Sequence, residues 1–201
     1  MATGRKTASK RAASRRKTAS GGAEGRVVEA ALDLADSQGW RQTTLADIAR
    51  AAGLSLADLH GQLRARGTIL AACVRHFDRI ALAGPALDKD DKLKDRLFDL
   101  LMRRFEALKP HRKAVRSMAW DSLGDPAALL ALKQLLASMG WMLEAAGVPT
   151  AGVAGLAKRR ILLLAYASVL VVFLRDDSPD LGKTMAALDR RLSLSEPFLG
   201  L

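Results

Sequence analysis

The chain has 201 residues, a formal net charge of +11, 49% apolar residues and a single cysteine, Cys73. That length suits one large helical domain, or a small domain with a larger one behind it, and the apolar content is ample for a core. One cysteine excludes an internal disulfide and a cysteine metal cluster. The sequence is rich in Ala and Leu and has no sustained period-two alternation of β-branched residues, so the expected fold class is all-α.

The charge is unevenly spread. Residues 1–22 hold seven Lys or Arg and no acid, whereas residues 23–79 balance seven Arg against seven Asp or Glu. The basic tail has nothing large to bury and is expected to be disordered in isolation. It suits either an arm that tracks phosphates or enters a minor groove, or a solubilising segment that binds any polyanion weakly. No apolar segment follows it, as a signal peptide would require. The longest apolar run, Ile161 to Leu174, has fourteen residues. As a helix it would span roughly 21 Å against roughly 30 Å of hydrocarbon, so no transmembrane segment and a cytoplasmic location are expected.

Ala23 to Gln38 forms the first predicted helix, with Val27, Ala31, Leu34 and Ala35 on one stripe, Gly39 as its C-terminal cap and Trp40 sealing the base. Thr43 or Thr44 caps a second helix that buries Leu45, Ile48 and Ala49. Ala51-Ala52-Gly53-Leu54 supplies a close crossing and a turn, and Ser55 caps a third helix with Leu59 and Leu63 on one face. That is the plan of a helix-turn-helix. Thr68 to Ala83 continues as a fourth helix through Ile69, Cys73, Phe77 and Ile80, with Cys73 as a small core residue.

After Gly84-Pro85, Leu93, Leu97, Leu101 and Phe105 rise at four-residue steps to Pro110, and a shorter helix covers His111 to Ser122. Asp125 and Pro126 start a helix that reaches Ala146, followed by a Gly-rich link over 147–155. Leu156 to Leu174 is apolar nearly all round, which points to a central position or a subunit interface. A last helix starts at Ser178-Pro179-Asp180 and runs to about Ser195. The expected organisation is a basic tail (1–22), a helix-turn-helix domain with its connecting helix (23–79) and a helical ligand-binding and dimerisation domain (80–201).

The first helix with TTLADIARAAGLS, Leu59, Leu63 and a basic residue at Arg66 resembles the TetR family of bacterial regulators over about residues 24–80. The resemblance implies a homodimer on double-stranded DNA, with a small hydrophobic ligand that changes the separation of the recognition helices and releases the operator. Carried over by position, Thr44 would meet a phosphate, and Ser55, Leu56, Ala57, Asp58, His60 and Gln62 would face the groove. Arg64 joins this DNA-binding set, and Arg66 replaces a phosphate-binding Lys. The family's aromatic run in the recognition helix is replaced here by His60-Gly61-Gln62-Leu63.

MRRFE at Met102–Glu106, PHR at Pro110–Arg112, WMLEAAG at Trp141–Gly147 and DDSPDLGKTMAALDRRL at Asp176–Leu192 resemble the ubiquinone-biosynthesis accessory family. That resemblance implies a TetR-like fold, an isoprenoid lipid in the C-terminal domain, and assistance to a hydroxylase without DNA binding. A protein of TetR shape acting only through protein contacts is a third alternative. Phe98, Met102, Phe105, Met118, Trp120, Met139, Trp141 and Met142 are the candidate lining of an apolar pocket for a lipid or quinone-like ligand.

No catalytic residues, cofactor or metal are expected. Asp176, Asp177 and Asp180 sit at a helix start, and His60, His76 and His111 share no ligand spacing. No G-x-S-x-G, phosphate-binding loop, Cys–His pair or paired carboxylates occur.

Overall fold

The computed structural model describes residues 22–88, 90–126 and 128–201, and every regular element among them is a helix. The basic tail therefore lies outside the described residues, apart from its last position. Helix α1 spans 22–37 and buries Val27, Val28, Ala31, Leu32 and Ala35. The chain leaves it through Gly39 at φ +87°.

Helices α2 (Leu45–Ala51) and α3 (Leu56–Gln62) follow. Thr44, not Thr43, caps α2: its hydroxyl accepts from the Asp47 N–H, and the Asp47 carboxylate accepts from the Thr44 N–H. Thr43 is buried, and its hydroxyl donates to the Gly39 carbonyl at 2.9 Å. Gly53, at φ +65°, turns the chain between the two helices. There Leu54 N–H reaches the Ala49 carbonyl and Gly53 N–H the Arg50 carbonyl, which is the Schellman arrangement that only a left-handed residue closes.

The larger part consists of α4 (Arg66–Leu82), α5 (Leu93–Leu108), a 3-10 turn (Lys109–His111), α6 (Arg112–Asp121), α7 (Ala128–Ala146), α8 (Gly152–Phe173) and α9 (Gly182–Leu199). α4 packs chiefly on α7 and α5, and α8 packs on α9. The buried side chains form one continuous cluster from Val27 to Leu199. Trp40, 1% exposed, seals the base of the helix-turn-helix unit as its position implied. Its N–H donates to Ser117 Oγ at 2.7 Å, and Arg41 N–H donates to Asp121 Oδ2 at 3.0 Å, so the unit is clasped to α6.

The element limits depart most from the sequence expectation at α8 and α9. Helix α8 begins at Gly152, inside the expected link, because Glu144 accepts from both the N–H and the hydroxyl of Thr150 and turns the chain early. A Cβ at Gly155 would stand 1.9 Å from the Thr150 carbonyl oxygen, so only glycine lets the first turn of α8 lie against that corner. Helix α9 begins at Gly182, beyond the Ser-Pro-Asp signal, and it continues past Pro197 to the fully buried Leu199. Ile80 is 45% exposed, off the buried stripe of α4. No helix among the described residues is long and apolar enough to cross a membrane.

Candidate nucleic-acid interface and apolar cavity

Only Leu59 of α3 is buried, with Leu63 just beyond its end. These two anchors, four residues apart, hold one face of the helix to the unit and turn the other outward. Ser55, Leu56, Ala57, Asp58, His60, Gln62 and Arg64 are all exposed. Thr44 is exposed beside them at the start of α2.

Their freedom differs. Ser55 and Asp58 form a capping box: the Ser55 hydroxyl donates to Asp58 Oδ2 at 2.6 Å and accepts from the Asp58 N–H at 3.1 Å. Thr44 and Asp47 repeat the arrangement on α2, and the Thr44 hydroxyl at the helix start pulls the Asp47 carboxyl below its usual range. Asp58 is thus held by its own helix and not poised for a base. Arg66 is engaged within the unit. Its guanidinium donates to the Thr43 and Trp40 carbonyls, each at 2.6 Å, and lies 4.5 Å over the Trp40 ring. It fastens α4 to the loop before α2. His60, Gln62 and Arg64 carry the remaining polar chemistry of the surface.

A second feature lies in the larger part. A cavity of about 280 Å³ opens between α1, α4, α5, α6, α7 and α8. Its apolar wall includes Cys73, Phe77, Leu108, Met118, Leu135 and Leu170. Burial pushes the Cys73 thiol up to about 12, so it contributes a neutral surface.

Three polar residues also face the cavity. Arg104, 2% exposed, donates through Nε to Tyr166 Oη at 3.0 Å and through Nη1 to Ser138 Oγ at 2.6 Å and to Asp78. Ser138 Oγ donates in turn to Asp78 Oδ1 at 2.6 Å. The third is Ser122, 8% exposed, whose Oγ has no hydrogen-bond partner.

Of the pocket residues expected from sequence, Met118 alone lines this cavity. Phe105, Met102, Met139 and Met142 are buried in the core away from it, and Phe98 is half-buried. Phe105 stacks on Tyr166 with ring centroids 5.2 Å apart. Trp120 and Trp141 are 47% and 64% exposed, on the outer faces of α6 and α7. The reason is helical phase. The cavity takes the end of α5 and the first half of α7, whereas the Met and aromatic residues of those two helices expected to line it lie earlier in α5 and later in α7. Arg104, Asp78 and Ser138 carried a signal that a sequence reading misses easily. Arg104 falls on the stripe of Leu97, Leu101 and Leu108, where a charge demands a buried partner. Ser122 carried none.

This architecture is that of solved TetR regulators. A TetR transcriptional regulator from Nitrosomonas europaea superposes with a TM-score of 0.69 at 24% identity, covering 85% of this chain and 96% of the other. One from Rhodococcus sp. RHA1 gives 0.66 at 20% identity, covering 86% and 94%. Residues 128–197, from the start of α7 into α9, match the COQ9 family model. The chain therefore has a TetR fold with a COQ9-like C-terminal half. No curated protein matches it in sequence.

Proposed function

We propose that the chain is a DNA-binding transcriptional regulator of the TetR type, a homodimer whose α3 helices enter successive major grooves and whose cavity takes a small hydrophobic effector. The observation that carries this reading is the outward face of α3. Leu59 and Leu63 fix the helix, its Ser55–Asp58 capping box is complete, and His60 and Gln62 stand exposed beside the apolar Leu56 and Ala57. Amide and imidazole groups at those positions suit base edges, and the apolar pair suits thymine methyls. Dimerisation is supported by α8 and α9, which pack together and leave Leu156, Leu164, Val171, Leu194 and Phe198 exposed; a second copy would cover them. Recovery of duplexes from fragmented host DNA tests the reading. Enrichment of a few near-palindromic sites, with half-sites one helical turn apart, is expected; uniform recovery would count against it.

A second reading is favoured by the match over residues 128–197: a lipid-binding adaptor in ubiquinone biosynthesis that does not bind DNA. The neutral charge balance of residues 23–79 and the internal engagement of Arg66 and Asp58 favour it as well. Native mass spectrometry of protein taken from its host separates the two, since the adaptor should carry an isoprenoid or phospholipid.

A further inference from the structure

Ser122 stands out in the cavity wall. A buried hydroxyl without a partner costs about 1–3 kcal/mol, and native structures rarely leave one unless something supplies the partner. Its Oγ is enclosed and unbonded on a wall that is otherwise mostly apolar. The other polar groups there are engaged with one another: Arg104 is neutralised by Asp78 and steadied by Ser138 and Tyr166. An anion brought to Arg104 would compete with Asp78 and leave one negative charge in excess in a buried site, which is strongly unfavourable. The size is also informative. A cavity of about 280 Å³ is nearly twice the roughly 150 Å³ that accommodates benzene. Leu123 and Leu132 line the cavity and are 69% and 52% exposed, so its mouth lies at the α6–α7 turn.

We infer that the cavity binds a neutral molecule of about two fused rings bearing one oxygen that pairs with the Ser122 hydroxyl, and that it rejects carboxylates. This rests on the proposal that the cavity is a ligand site and adds its chemical selectivity. Any longer apolar chain on the ligand leaves between Leu123 and Leu132. The ligand's oxygen accepts from the Ser122 hydroxyl, and the Arg104–Asp78 pair remains closed.

Three probes of nearly equal shape test the inference by equilibrium dialysis against the full chain at pH 7: naphthalene, 2-acetonaphthone and 2-naphthoate. The ketone is expected to bind about fivefold or more tightly than naphthalene, from one hydrogen bond to an otherwise unpaired group. The naphthoate is expected to bind at least about tenfold more weakly than the ketone. Ser122→Ala should reduce the ketone to the naphthalene level without changing naphthalene, and Ser122→Thr should restore the preference. Naphthoate binding as tightly as the ketone, or a ketone preference that survives Ser122→Ala, overturns the inference while leaving the cavity a ligand site. If none of the three binds, the ligand-site proposal falls and this inference falls with it.

Discussion

Arg66 illustrates how a residue suited to phosphate becomes part of the scaffold. Its two carbonyl contacts and its place over Trp40 join the start of α4 to the loop before α2. Arg66→Met should therefore lower stability by about 3 kcal/mol, through two lost charge-assisted hydrogen bonds, and this would appear as a large fall in Tm in the absence of DNA. A phosphate-contacting arginine would leave Tm unchanged. Gly61 behaves in the opposite way. A Cβ there meets nothing within 4 Å, so neither packing nor backbone geometry calls for glycine. Gly61→Ala should raise stability by about 1 kcal/mol in a denaturant titration. The spacing of Leu59, Leu63 and Ser55 was legible because burial and capping act within one helix. The use of Arg66 was not, because its partners, Trp40 and Thr43, lie far back in the chain and are backbone carbonyls with no sequence signature.

At the scale of elements, the corner between α8 and α9 is held by Asp176. Burial pushes its carboxyl upward, but hydrogen bonds from the side chains and N–H groups of Ser178 and Thr184 outweigh that and hold it well below the usual range. A group whose folded-state pKa is depressed contributes stability above its unfolded value, near 3.9, and loses it as pH falls through the folded value. Asp176→Asn should therefore melt below the parent at pH 7, by about 2–3 kcal/mol, and the gap should close on acidification below about pH 4. A gap independent of pH would assign the effect to shape alone. The sequence DDSPD announces a helix start, and one follows. It does not say which acid anchors the corner, because Asp176, Asp177 and Asp180 look alike until burial separates them: Asp176 is fully buried, while the Asp177 side chain is 94% exposed. The early start of α8 was hidden for a related reason. The Glu144–Thr150 contact that turns the link depends on side chains outside the helix it starts.

At the scale of the molecule, one core runs through both the helix-turn-helix unit and the helices behind it, joined by Trp40, Ser117, Arg41 and Asp121. For the proposed effector, such continuity supplies the route from the cavity at α4, α6 and α7 to α3, since α4 begins directly after it. The proposed dimer belongs here too. Leu164, 72% exposed on α8, has no internal role, so Leu164→Glu should leave Tm of the monomer unchanged but shift the sedimentation coefficient from dimer to monomer. The all-helical class and the order of helices could be read from apolar periodicity. The cavity could not, because it depends on how six helices meet.

The central claim is sequence-specific recognition by α3, and it is tested most directly by salt-titrated binding of the full chain to a duplex from its own upstream region and to a shuffled duplex. Binding to the native sequence is expected to be tighter by about a thousandfold near physiological salt. Gln62→Ala should cost about 1–3 kcal/mol on that duplex alone. Equal affinity for both duplexes, abolished by deleting residues 1–22, would contradict it and leave only attraction between a basic tail and a polyanion.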